Sequence, residues 1–122
     1  MQKHILIIED DYDSRHMLSN MVEMVMHHKA TLVDDGAEAI RLVEKDSFDI
    51  ILLDLELPDL GGLDVAKALR QIQHCKTTPI IATTGHALAS VHREAVEAGC
   101  NECITKPITV ASLMKALSKY ED

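Results

Sequence analysis

Three short runs in this chain are apolar without alternation: His4-Ile5-Leu6-Ile7-Ile8, Ile50-Ile51-Leu52-Leu53 and Pro79-Ile80-Ile81-Ala82-Thr83. Each has the length of one strand. A strand with one wet face alternates apolar and polar residues, so strands apolar at every position must be covered on both faces. The residues between the runs supply that cover. Met17, Leu18, Met21, Val22 and Val25 keep to one face of a helix that Asp13 or Ser14 can cap. Ile40 and Val43 follow Gly36, and Val65, Ala68, Leu69 and Ile72 follow Gly61-Gly62. Leu88, Val91, Ala95 and Ala98 make a stripe stopped by Gly99 as a left-handed cap. Val110, Leu113, Met114 and Leu117 ride on a last helix beginning at Thr109.

Two further strand signals, at 30–33 and 101–105, join those at 4–8, 49–54 and 79–83. Five βα units with short connections predict a parallel sheet with five helices on its two faces, in one domain spanning residues 1–122. Ala30-Thr31-Leu32-Val33 is short and more polar, as an edge strand should be. A strand order of 2-1-3-4-5 then sets the ends of strands 1 and 3 side by side at the topological switch point.

The chemistry stands at those ends. Strand 1 runs into Glu9-Asp10-Asp11, strand 3 into Asp54, strand 4 into Thr84-Gly85 and strand 5 into Lys106-Pro107. Ligands of open parallel sheets bind outside the carboxyl ends of the strands. Three close carboxylates repel one another unless a cation sits between them, and oxygen-only ligands point to magnesium or a similar hard ion, such as Mn2+. Asp54 is the candidate nucleophile, because a carboxylate can accept a phosphoryl group as an acyl phosphate. The metal, the Lys106 ammonium and the Thr84 hydroxyl would offset charge on the transferring group.

Composition narrows the alternatives. The formal charge of −8 repels nucleic-acid phosphates, and no basic stripe overrides it, so direct nucleic-acid binding is not expected. No apolar run approaches the roughly 18–20 residues of a membrane span. The amino terminus lacks a secretory pattern, and a cytoplasmic location is expected. Three cysteines in such a chain argue against a disulfide framework. Cys100 and Cys103 have CxxC spacing but no second pair for zinc, and read as apolar fillers at a strand. His27-His28 falls at a helix end, where imidazolium suits the dipole. His4, His16, His74 and His92 show no ligand spacing.

Ile7-Ile8-Glu9-Asp10-Asp11, Leu52 to Gly62, Pro79 to Ala87 and Ile104-Thr105-Lys106-Pro107-Ile108 together make a specific pattern. With them the chain resembles a two-component response-regulator receiver domain, of the chemotaxis-regulator-like, flavodoxin-like fold, from end to end. The resemblance implies that Asp54 is the phosphoacceptor, and that Asp10, Asp54 and the main-chain carbonyl of Glu56 bind Mg2+, with Glu9 acting through water. It implies that Thr84 and Lys106 contact the phosphoryl group and that the Lys106-Pro107 peptide is cis, aiming the lysine inward. The donor would be a phosphohistidine on a sensor histidine kinase or a histidine phosphotransfer protein, and the output a changed surface offered to a downstream protein target. Such a receiver catalyses only its own phosphorylation and dephosphorylation and is not an enzyme in the ordinary sense. The alternative is a phosphorylation-independent docking module with the same fold, for which the acids, Thr84 and Lys106 would be unnecessary.

Two departures from the family pattern bear on mechanism. The switch position three residues before the lysine usually carries Tyr or Phe and here is Cys103, so a swinging aromatic ring cannot be the output signal. Gly85 stands where Ala often follows the switch threonine. Glu56 and His86 occupy the positions that in this family flank the phosphoryl group, and are expected to tune its lifetime. The starting Met and the short Lys119 to Asp122 tail lean toward a stand-alone regulator.

Overall fold

A computed structural model describes residues 2–120; Met1, Glu121 and Asp122 lie outside the described residues, and with them both ends of the chain on which the stand-alone reading leans. Five strands, β1 (His4–Ile8), β2 (Lys29–Val33), β3 (Ile50–Asp54), β4 (Ile80–Thr84) and β5 (Glu102–Thr105), alternate with five helices. These are α1 (Tyr12–Asn20), α2 (Gly36–Lys45), α3 (Gly62–Gln71), α4 (Ala89–Glu97) and α5 (Val110–Ser118). The sheet is parallel in the order β2-β1-β3-β4-β5; the apolar pattern predicts the parallel sheet with β2 at an edge, and the resemblance predicts the order.

The continuous apolar runs are explained by two cores, one on each side of the sheet. Leu6, Ile8, Ile51, Leu53, Ile80 and Ala82 face Ala39, Val43, Val65, Ala66, Leu69, Ala95 and Ala98 of α2, α3 and the end of α4. The intervening Ile5, Ile7, Ile50, Leu52 and Ile81 face Leu18 and Val22 on one side and Leu113, Ala116 and Leu117 of α5 on the other. Alternate strand residues point to opposite faces, so a run apolar at every position feeds both cores. Each fully buried Leu or Ile contributes roughly 1.5–3 kcal/mol over leaving it exposed. β2 and β5, at the edges, are only partly covered.

The structure corrects several local expectations. Asp11, rather than Asp13 or Ser14, caps α1: its side chain accepts from the Ser14 amide at 2.9 Å. α1 passes at Asn20 into a π turn over Met21–Val25, closed by Met26 N–H to Met21 O. Leu18 and Val22 are buried and Met17 is exposed; the wider turn breaks the helical phase after it, and Val25 is exposed as well. Leu88 stands at the N-cap position of α4 without a side-chain capping bond and is exposed, and Met114 on α5 likewise faces out. His28 is buried, and its Nδ1 accepts a hydrogen bond from the Lys3 amide at 2.9 Å. Gly99 does adopt the left-handed conformation, with φ +116°.

Candidate functional site

β1 and β3 are neighbours in register from Ile5↔Ile50 to Ile8↔Leu53, so the residues that follow them emerge together. Carboxylate oxygens of Glu9, Asp10 and Asp54 all lie within 4.8 Å of one another. Local hydrogen bonds hold the two supporting loops. Glu9 N–H donates to Val33 O, and Asp11 N–H donates to Glu9 Oε2 at 3.1 Å. The Arg15 guanidinium, from α1, donates to the carbonyls of Glu9 and Asp10 at 3.1 and 3.2 Å. On the other side the Glu56 amide donates to Asp54 Oδ1 at 3.0 Å, and Gly62 N–H closes the β3–α3 loop onto Leu55 O.

Lys106 enters from the end of β5, tied to β4 by its backbone N–H, which donates to Thr84 O at 2.7 Å. Its Nζ stands 3.2 Å from Asp54 Oδ1 and 3.2 Å from Glu9 Oε1. The Lys106-Pro107 peptide is cis. Burial alone would lower the Lys106 ammonium, but the charges of Asp54 and Glu9 and the hydrogen bond to Asp54 outweigh it and raise its pKa. Glu9 is pushed up to about 7, first by burial, then by the hydrogen bond and charge it shares with Asp54.

One ammonium does not balance three carboxylates. Glu9 and Asp54 are almost fully buried, and Glu9 Oε1 has no hydrogen bond, only the ion-pair contact with Lys106. A buried anionic oxygen left without a hydrogen bond is costly. A hard divalent cation fits this all-oxygen cluster, since it would satisfy that atom and remove the repulsion.

Thr84 is buried, and its hydroxyl donates to Glu56 Oε2 at 2.7 Å rather than toward Asp54. Gly85 N–H donates to Glu56 Oε1 at 2.9 Å, and His86 N–H donates to Thr84 Oγ1 at 3.1 Å. His86 is exposed, and its carbonyl accepts from His92 Nε2. Cys103 sits on β5 opposite Ala82, half-buried. Burial, with the Glu56 charge, raises its thiol to about 11. Burial raises Cys100 further, to about 12. Both stay protonated at neutral pH, in keeping with fillers rather than redox or metal-binding thiols.

Glu9, Asp10, Asp54 and Lys106 therefore form one cluster, with Thr84 at its border and turned to Glu56. Sequence reasoning missed three supports. Asp11 as cap was readable from its position three before Ser14. The Arg15 clamp on two carbonyls and the grip of Asp59 on the Gly36 and Ala37 amides have no local signal, because both link segments through the tertiary fold.

Comparison with known proteins decides what this cluster belongs to. The model of the response regulator receiver domain matches residues 5–118. The chain belongs to that family. The chemotaxis protein CheY-3 of Vibrio cholerae is 31% identical over 115 residues, covering 94% of this receiver and 88% of that protein. The signal transduction histidine-protein kinase BarA of Escherichia coli is 28% identical over 117 residues, 96% of this receiver; the chain spans 13% of the kinase's length. Among solved structures, the receiver domain of sensor histidine kinase PA1611 from Pseudomonas aeruginosa superposes with a TM-score of 0.89 at 31% identity, over 98% of each chain, and carries magnesium in its active-site cleft. CheY4 of Vibrio cholerae superposes with a TM-score of 0.92 at 26% identity, over 98% of this receiver and 99% of that chain. Receivers are typically non-enzymatic modules of two-component signalling that partner with histidine kinases. Among the described residues no helix is long and apolar enough to cross a membrane.

Proposed function

We propose that this receiver, residues 1–122, is a phosphorylation-dependent switch that accepts a phosphoryl group on Asp54. The observation carrying this reading is the buried Asp54 carboxylate, within 4.8 Å of the Glu9 and Asp10 oxygens and 3.2 Å from the Lys106 ammonium. A pure docking surface has no use for a buried cluster of like charges, which only costs stability.

Asp10, Asp54 and the Glu56 carbonyl would hold Mg2+, with Glu9 acting through water. When bound, the ion screens the acids and withdraws charge from the phosphoryl oxygens. An Asp54 oxygen attacks the phosphorus of a phosphohistidine; the phosphorus–nitrogen bond breaks and its electron pair leaves with the imidazole. The product is an acyl phosphate on Asp54. Lys106, already 3.2 Å from Asp54, meets a phosphoryl oxygen, and Thr84 supplies a hydroxyl from the next strand end. Attack of water on the same phosphorus breaks its bond to the Asp54 oxygen, which leaves as the carboxylate, and releases inorganic phosphate, resetting the switch at a rate set by Glu56 and His86. Phosphorylation adds about −1.5 to −2 charge. That charge biases the surface around β4, β5 and α5 toward a downstream protein, and Cys103 requires the relay to run without an aromatic rotor. The donor is a sensor histidine kinase or a phosphotransfer protein.

Intact-mass measurement after treatment with acetyl phosphate and Mg2+ tests the assignment. The wild type should gain the mass of one phosphoryl group and Asp54→Asn should not; an equal gain, or none in either, refutes it.

A further inference from the structure

Glu56 is bonded to both halves of the site at once. Its amide donates to Asp54 Oδ1, while its carboxylate accepts from the Thr84 hydroxyl at 2.7 Å and the Gly85 amide at 2.9 Å. These two donors sit together at the end of β4, and both Glu56 oxygens are occupied by them. A hydroxyl carries one proton, so Thr84 donates either to Glu56 or to another acceptor. The His86 amide occupies a lone pair of the same Thr84 oxygen, which leaves the hydroxyl's single proton for the Glu56 bond. The Glu56 carboxylate thus takes the place of an external anion on donors that a phosphoryl group at Asp54 would use.

We infer that Glu56 is a positioning residue that keeps Thr84 and Gly85 engaged until a phosphoryl group displaces its carboxylate. The inference rests on Asp54 being the phosphoacceptor. On phosphorylation no bond beyond the phosphoryl transfer is made or broken: the Thr84 proton stays on its oxygen and exchanges a carboxylate acceptor for a phosphoryl oxygen. Glu56 is otherwise exposed, so its released side chain turns to solvent. Its backbone bond to Asp54 and side-chain bonds to Thr84 and Gly85 link the loops after β3 and β4 through one residue. Such a link reports the state of Asp54 without an aromatic ring at position 103.

Beryllium fluoride with Mg2+, a non-covalent phosphoryl mimic, tests this by titration calorimetry on the full chain. Glu56→Ala frees both donors and should bind the mimic about tenfold more tightly, the scale of one charge-assisted hydrogen bond. Glu56→Gln, which keeps one acceptor oxygen, should fall between it and the wild type. The deciding comparison is in a Thr84→Ala background, where much of the gain from Glu56→Ala should disappear, because the hydroxyl it guarded is gone. A gain of the same size in both backgrounds means that Glu56 acts only by charge or bulk, and overturns the inference. So does no gain in either Glu56 variant while the wild type binds the mimic normally. Wild-type protein that binds no mimic in an Asp54-dependent way overturns the phosphoacceptor reading itself, and the positioning role with it.

Discussion

Gly61 and Gly62 are adjacent and look equivalent in the sequence, but the structure separates them sharply. A Cβ on Gly62 would fall 2.4 Å from Leu55 Cα, 2.8 Å from Asp54 O and 2.9 Å from Leu55 Cδ2. Two of those atoms are backbone, so the loop that carries Asp54 and Glu56 has to move. A Cβ on Gly61 would meet nothing closer than Asp64 Oδ2 at 3.7 Å, an ordinary contact. Forcing a methyl into a packed site costs about 1–3 kcal/mol. Replacing glycine in a helical turn returns about 0.5–1 kcal/mol of backbone entropy. Gly62→Ala should therefore be destabilised by about 1–2 kcal/mol, which for a chain of this size lowers Tm by about 4–8 °C. Gly61→Ala meets no clash and should cost less than about 1 kcal/mol, the scale of the glycine-to-alanine difference at the N-cap position it holds on α3. The same displacement misplaces the nucleophile, so Asp54 labelling by acetyl phosphate should slow by about tenfold in Gly62→Ala alone, at a temperature where both variants are folded. Calorimetric melting and a phosphorylation time course read the two effects. Equal melting and equal labelling rates in the two variants would refute the argument from close approach.

Further outcomes follow from the charges and hydrogen bonds. In metal-free protein Glu9 is held up at about 7 against an ordinary 4.5, so the folded chain binds its proton more tightly than the unfolded chain does. The stability this group contributes is present below pH 4.5 and lost as pH rises through 7. Urea unfolding without Mg2+ should show the wild type losing stability against Glu9→Gln across that window; parallel profiles would count against the buried acid. Arg70 donates to the carbonyls of Gly99, Cys75 and Thr78 and to Asn101 Oδ1, pinning α3 to the ends of two loops. Arg70→Lys cannot reproduce that fork and should cost about 2–4 kcal/mol in denaturant unfolding, with Asp54 labelling unchanged below the melting range. The high thiol pKa values of Cys100 and Cys103 predict little reaction with iodoacetamide at pH 8 in the folded protein and full reaction in urea; fast native alkylation of Cys103 would contradict its burial.

Much of the fold and the membership of the site were legible in the sequence, for a definite reason. A strand apolar at every position needs cover on both faces, and in such a sheet the strand ends gather functional groups. That placed Glu9, Asp10, Asp54, Thr84 and Lys106 at one edge before any coordinates. Helix phase was less readable: Val25 fits a 3.6-residue stripe and is nevertheless exposed, because one π turn shifts everything after it.

The sequence by itself thus determined the alternation of strands and helices and which residues stand at the strand ends, since both follow from local periodicity. Only the tertiary structure decided how they are engaged. Nothing local to Glu56 reveals that its carboxylate takes the Thr84 hydroxyl, 28 positions along the chain, while its amide takes Asp54. Nor does any local signal single out Gly62 as the glycine pressed against Asp54 O. Such pairings depend on distances of a few tenths of an ångström between separate loops, which the packing of the whole domain sets and no short stretch of sequence encodes.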